Sequence, residues 1–95
     1  MVDSRQLPTF VTYYALTLAV IARNPSIRIR EIAQILGITG RAVQRILADL
    51  TTAGYIVHTT AHRRNLYEVR GERLLKDPIA NGRNVGDLIQ FLRPE

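Results

Sequence analysis

The sequence predicts a single, mainly α-helical domain with one small β-hairpin, and three observations support this. Apolar residues recur at helical spacing in three stretches before Gly54. A run rich in β-branched and aromatic residues begins at Tyr55. A chain of 95 residues is long enough for one core only. We expect a three-helix core and hairpin over residues 9–70, followed by an extension over residues 71–95 that serves packing or dimerisation.

The first predicted helix starts near Pro8 and runs to about Asn24, where Pro25 stops it. It carries two apolar stripes on opposite sides. One is expected to pack on the core and consists of Val11, Tyr14, Ala15, Leu18, Ile21 and Ala22. The second consists of Phe10, Tyr13, Leu16 and Val20. Because a domain of this size has one core, the second stripe needs another partner.

Two further helices are predicted on either side of a glycine turn. The inward face of the first is expected to consist of Ile32, Ala33, Ile35 and Leu36. Gly37 ends it, because glycine adopts positive φ most cheaply. Thr39 is the predicted N-cap of the next helix, since its hydroxyl can accept an unpaired backbone N–H. The buried stripe of that helix is predicted to be Val43, Ile46, Leu47 and Leu50.

The outward face of the helix that follows Thr39 carries groups suited to double-stranded DNA. Arginine can fork onto guanine and glutamine onto adenine in the major groove. We therefore expect bases to be read by Arg41, Gln44 and Arg45. Thr39 and Gly40 are expected to approach the DNA backbone, because the dipole at a helix N-terminus favours phosphate.

The hairpin is predicted to have strands near residues 55–60 and 66–70, with a short extra strand at residues 27–29 beside it. The bend is expected to hold His62, Arg63, Arg64 and Asn65. Its turn type stays open because no glycine follows Asn65. A tip with two arginines suits phosphates or a narrow minor groove. We expect DNA contacts from Arg63, Arg64 and Asn65.

These residues resemble the winged helix-turn-helix transcriptional regulators of bacteria and archaea, most of all the MarR and ArsR types. The likeness covers about residues 27–70 and is carried by REIAQILGITGRAVQRILADL, AGYIV and RRNLYEV. It implies a recognition helix starting at Thr39 and a wing around Arg63 and Arg64. It also implies a cytoplasmic homodimer that binds DNA sequence-specifically and regulates transcription. The pattern identifies neither an operator nor a small-molecule effector.

Charge supports this interpretation. The formal net charge is +5, and residues 28–70 account for +4 of it, with seven arginines against three carboxylates. A nucleic-acid binder needs its excess charge on the module that touches phosphate. The chain has no cysteine, unlike many metal-sensing ArsR regulators, which excludes disulfides and thiolate metal sites. Only His58 and His62 remain as soft ligands, so we expect no metal and no cofactor.

Other classes of function are disfavoured by the sequence. It shows no Ser/His/Asp or Cys/His set and no glycine-rich phosphate loop, so we expect no enzyme. The stretch FVTYYALTLAVIA after Arg5 mimics a secretory signal, but Thr12 and Thr17 interrupt it. It is also too short and polar to span a bilayer. Two alternatives stay open: a winged helix used for protein interaction or assembly, and a non-specific nucleic-acid binder.

The extension is predicted to end in a short helix. Turns are marked by the pairs Asp77-Pro78 and Asn81-Gly82. Asn84 caps the helix, with Asp87 completing an approximate capping box. Its apolar stripe is Val85, Leu88, Ile89 and Leu92, with Phe91 to one side. So short a helix is unstable alone. We expect a dimer interface in which the second stripe of helix one (Phe10, Tyr13, Leu16, Val20) meets Leu88, Ile89, Phe91 and Leu92, within one chain or between two.

Overall fold

The computed structural model describes residues 11–92, which form four α-helices and a two-stranded antiparallel hairpin. In chain order these elements are α1 (Tyr13–Arg23), α2 (Ile29–Leu36), α3 (Gly40–Thr52), β1 (Ile56–Ala61), β2 (Arg64–Val69) and α4 (Val85–Leu92). A 3-10 turn, Pro78–Ala80, precedes α4. Within this part of the chain, no helix has the length and apolar character needed to cross a membrane.

Helix α1 begins later than the sequence predicts. Thr12 has an extended backbone, and its hydroxyl accepts the Ala15 N–H at 3.3 Å, so it is the N-cap. The predicted start near Pro8 is therefore wrong, while Pro8 and Phe10 themselves lie outside the described residues. The buried face of α1 consists of Thr17, Leu18 and Ile21. Tyr14 and Ala22, which the predicted stripe included, are exposed.

The core lies where α1, α2, α3 and the hairpin meet. The predicted stripe of α3 is confirmed, because all four of its members are buried. Each other element contributes one or two buried apolar side chains: Leu18, Ile21, Ile32, Ala33, Ile56, Tyr67 and Val85. Ile35 is the exception, since 61% of it is exposed although it was predicted to face inward. It lies roughly 160° around α2 from buried Ala33 and borders an open groove with α1 and the end of α4.

The turn between α2 and α3 forms as predicted. Gly37 has a φ of 71°, and its N–H donates to the Ala33 carbonyl at 2.8 Å. Thr39 is the N-cap of α3, where its hydroxyl accepts the Ala42 N–H at 3.1 Å. These two local devices fix the angle at which α3 leaves the core.

The hairpin is tighter than predicted. Its turn holds only His62 and Arg63, with φ values of 52° and 63°, the positive pair that a type I′ turn requires. Arg64 and Asn65, predicted at the bend, already belong to β2. The predicted strand at residues 27–29 is also wrong, because Ile29 starts α2. A single bond links this region to the hairpin, from Tyr67 N–H to the Pro25 carbonyl at 3.0 Å.

The extension folds back along the chain. The Gly86 N–H donates to the Gly71 carbonyl at 2.9 Å, and the Val85 N–H to the Arg73 carbonyl at 2.8 Å. The predicted capping box is confirmed: the Asp87 N–H donates to Asn84 Oδ1 at 2.9 Å, and the Asn84 N–H to Asp87 Oδ2 at 3.1 Å. Helix α4 then packs on α1 of the same chain. The whole is a winged helix-turn-helix with a C-terminal helix.

Candidate nucleic-acid interface

The outward face of α3 presents the side chains that the sequence predicts for base reading. Arg41, Gln44 and Arg45 are all exposed, opposite the buried stripe. At about 100° per residue, the two arginines lie near the middle of this face. Gln44 lies on the edge towards the hairpin, where it lines a groove with His58 and Tyr67. Asp49 lies on the opposite edge, towards α1.

The start of α3 is also accessible. Thr39 is exposed and Gly40 is half-buried. Although the Thr39 hydroxyl accepts the capping bond, it keeps a hydrogen that can be donated. An added Cβ at Gly40 would meet only Ile29 Cγ2, at an ordinary 3.8 Å, so packing inside the chain does not require glycine there.

Among residues 11–92, no carboxylate forms an ion pair with the arginines of α3 or of the wing. Within residues 11–92 one ion pair forms, between Arg70 Nε and Glu72 Oε1 at 2.8 Å. Consequently, no described carboxylate pairs with Arg41, Arg45, Arg63 or Arg64. All four are exposed, so their charge is available to an anionic partner.

Arg28 is a candidate that the sequence prediction missed. It precedes α2 and lines a groove with Arg63 and Arg64 of the wing. Three arginines therefore line one concave surface beside the N-terminus of a helix, where the partial charge is positive. The place of Arg28 immediately before α2 was visible in the sequence. Its closeness to the wing was not, because that depends on the hairpin folding back.

His58 and Asn65 form a brace inside the wing. His58 Nε2 lies 2.9 Å from Asn65 Oδ1, and the imidazole stacks on the Tyr67 ring with centroids 4.9 Å apart. Burial raises the pKa of Tyr67 above its ordinary value. Asn65, predicted as a DNA contact at the tip, therefore uses its amide oxygen within the hairpin and keeps its N–H donors.

A second unpredicted contact joins α1 to α3. The Tyr14 hydroxyl donates to Asp49 Oδ2 at 2.6 Å. This hydrogen bond to a carboxylate is the main reason that the pKa of Tyr14 is raised, and the positive charge of Arg45 partly opposes the rise. Nothing in the sequence pattern pairs residues 35 positions apart.

The residues predicted to form a dimer interface divide into two groups. Leu16, Val20 and Leu92 are half-buried and border one groove between α1, α2 and the end of α4. Leu88 and Ile89 are also half-buried, and Ile89 packs against the core. Tyr13 and Phe91 remain exposed, by 49% and 85%. Phe10 lies outside the described residues.

Comparison with known proteins agrees with this architecture. A model of the MarR family matches residues 9–64, more than half of the chain. A solved structure described as the predicted DNA-binding transcriptional regulator from E. coli is similar with a TM-score of 0.55. That likeness is 23% identical, covers 82% of this chain and 70% of the other, and supports the fold alone. The comparison with curated proteins gives no match. Of the two types that the sequence resembles, the MarR type is confirmed. The chain belongs to the MarR family, a family of DNA-binding winged helix-turn-helix transcriptional regulators and not of enzymes.

Proposed function

We propose that this MarR-family chain binds one specific double-stranded DNA sequence as a homodimer and thereby regulates transcription in the cytoplasm. The observation that carries the proposal is the set of exposed arginines on α3 and the wing that no described carboxylate neutralises. Such a surface is costly for the free protein to maintain through self-repulsion, and an anionic duplex relieves that repulsion.

In this proposal α3 lies in the major groove. Arg41 and Arg45 occupy the middle of its outward face and Gln44 the edge towards the wing. Bidentate contacts from these side chains distinguish guanine and adenine from other bases. Thr39 and Gly40 lie against the DNA backbone, where the start of the helix offers N–H groups to a phosphate.

The wing and the start of α2 hold the flanking backbone. Arg63 and Arg64 border the same groove as Arg28, so one stretch of phosphates or one narrow minor groove can contact all three. Asn65 supports the wing through its bond to His58 and adds N–H donors beside the arginines. Where these contacts are to phosphates, they carry no direct sequence information and fix the register of α3 on the duplex.

The homodimer accounts for apolar surface that the single chain leaves open. Tyr13 on α1 and Phe91 on α4 stay exposed although α4 packs on α1. In a two-fold symmetric dimer, the same surface patch of each subunit faces the other. If that patch contains Tyr13 and Phe91, a second copy covers both residues in each subunit. In this arrangement the interface draws on Phe10, Tyr13, Leu16, Val20, Leu88, Ile89, Phe91 and Leu92. Two recognition helices about 34 Å apart then require a palindromic site.

Selection of bound sequences from a random duplex pool tests the proposal. We expect a palindromic consensus with half-sites about one helical turn apart. Enrichment without a consensus would favour the non-specific nucleic-acid binder, and no enrichment at low salt would favour the protein-interaction module.

The wing is tested by the salt dependence of affinity for the selected duplex. Affinity falls as salt rises, and the steepness of that fall on a log–log plot reports the number of phosphate contacts. Replacing Arg63 and Arg64 together with alanine is expected to make the slope less steep by roughly 0.9 for each phosphate that the wing no longer touches. Arg28→Ala is expected to act in the same way. Arg83→Ala, an exposed arginine in the extension, is the matched control and is expected to leave the slope unchanged.

A further inference from the structure

The hydrogen bond between Tyr14 and Asp49 lies at the border of the proposed DNA-binding face. Tyr14 belongs to the first turn of α1, and its hydroxyl reaches Asp49 Oδ2 on α3 at 2.6 Å. Asp49 is the only acidic residue in α3, whose sequence is GRAVQRILADLTT. The contact therefore involves the one negative charge on the helix that is proposed to enter the groove.

Arg45 is the natural alternative partner of that carboxylate. It precedes Asp49 by four positions, so the two side chains are neighbours on the helix surface, and opposite charges at this spacing attract. No ion pair between them forms in the described structure. The Tyr14 hydroxyl takes a carboxylate oxygen instead. The positive charge of Arg45 nevertheless lowers the pKa of Tyr14, against the larger rise that the bond to Asp49 causes.

We propose that Tyr14 is a positioning residue of the DNA-binding surface: its hydroxyl holds the Asp49 carboxylate and thereby leaves the Arg45 guanidinium available to DNA. This rests on the proposed function, because it takes Arg45 as a DNA contact. Without the hydroxyl, the carboxylate turns to Arg45 and neutralises it. The Tyr14 hydroxyl thus separates two residues of α3 that would otherwise pair.

A four-protein cycle tests this role: the parent chain, Tyr14→Phe, Asp49→Asn and the double variant. Affinity and its salt dependence are measured by fluorescence anisotropy on the duplex selected with the parent. Tyr14→Phe is expected to weaken binding about twofold, in line with the modest strength of an ion pair at this spacing. The slope of log affinity against log salt is expected to become less steep, by at most about 0.9 for one phosphate contact. In the Asp49→Asn background the same substitution is expected to change neither quantity, because no carboxylate remains to capture Arg45.

A simple brace between α1 and α3 predicts a different pattern. If the contact only held the two helices together, either single substitution would break it, so Asp49→Asn would weaken DNA binding as Tyr14→Phe does. Both single variants would also leave the salt slope unchanged. That pattern overturns the proposal. Thermal unfolding of all four proteins confirms that each is folded at the temperature of the binding assay.

A readout without DNA separates this proposal from the proposed function. The ¹⁵N signal of the Arg45 side chain is expected to shift in Tyr14→Phe and to return towards the parent position in the double variant. An unmoved signal overturns the competition for Asp49. If the signal moves as expected while the parent binds no duplex, the competition stands and the proposed function fails.

Discussion

Helices α3 and α4 have the same local features, but their apolar stripes are buried to different extents. Each begins with a side-chain cap, Thr39 in one and Asn84 in the other, and each carries one apolar stripe. The stripe of α3 is buried throughout. In α4 only Val85 is buried, while Leu88, Ile89 and Leu92 are partly exposed.

The difference comes from the number of neighbours. Helix α3 packs on α1, α2 and β1, whereas α4 packs on α1. A periodic apolar stripe therefore predicts that a helix is amphipathic, and it does not predict how much of the stripe the same chain will cover. The incompletely covered helix is the one to examine for contacts between chains.

The largest expected contrast is in stability. Leu50→Ala removes a side chain that is 4% exposed and is expected to lower the free energy of unfolding by about 2–5 kcal/mol. Leu88→Ala, the matched change on α4, is expected to cost about 1 kcal/mol because it removes less buried apolar area. Urea denaturation measures both. Equal decreases would mean that α4 is covered in solution as completely as α3.

Charged substitutions at Tyr13 of α1 and Phe91 of α4, both exposed, test whether a second copy of the chain covers these residues. Tyr13→Glu combined with Phe91→Glu is expected to convert a dimer into a species of 10.7 kDa in sedimentation. Because two linked half-sites bind far more tightly than one, affinity for the palindrome is expected to fall roughly 100-fold. Ile79→Glu, at a residue 95% exposed in the extension, serves as the control. A parent chain that sediments as a monomer at micromolar concentration would contradict the homodimer.

Selectivity for individual base pairs compares the outward face of α3 with that of α4. Arg41→Ala and Gln44→Ala are each expected to relax selectivity at particular base pairs, at a cost of roughly 1–3 kcal/mol for each base that the variant no longer reads. Gln90→Ala, on the exposed side of α4, is expected to leave selectivity unaltered. Binding measured across single-base variants of the selected site decides the matter. Parent-like profiles for both α3 variants would show that this face does not read bases.

The smallest effects concern the caps. Thr39→Ala and Asn84→Ala each remove a side chain that accepts a backbone N–H, and each is expected to lower stability by about 0.5–2 kcal/mol. Thermal unfolding compares the two variants. Only Thr39→Ala is expected also to weaken DNA binding, because in the proposed complex only α3 presents its N-terminus to phosphate. A matching decrease of affinity in Asn84→Ala would place α4 at the DNA as well.

The features that the sequence predicted correctly depend on short stretches of chain. Gly37, Thr39 and the Asn84–Asp87 box act over three or four residues, so their residue types identify them. The errors arise where burial depends on residues that are distant in the sequence. Ile35 has the spacing of a buried residue, but it borders an open groove between α2, α1 and the end of α4 and stays largely exposed.

The missed contacts have the same cause. Tyr14 meets Asp49 only because α1 packs across α3, and Arg28 joins the wing arginines only because the hairpin folds back. Apolar periodicity carries no information about such polar contacts. The exposed arginines of α3 and of the wing were nevertheless predictable, since their charge stands out within residues 28–70.

The two-residue tip of the wing restricts how this surface can evolve. Side chains alternate between the faces of β2, so a one-residue slip of its pairing with β1 would turn Tyr67 from the core to the solvent. A longer wing requires matched additions, one to each strand, and each pair extends the tip by about 3.3 Å.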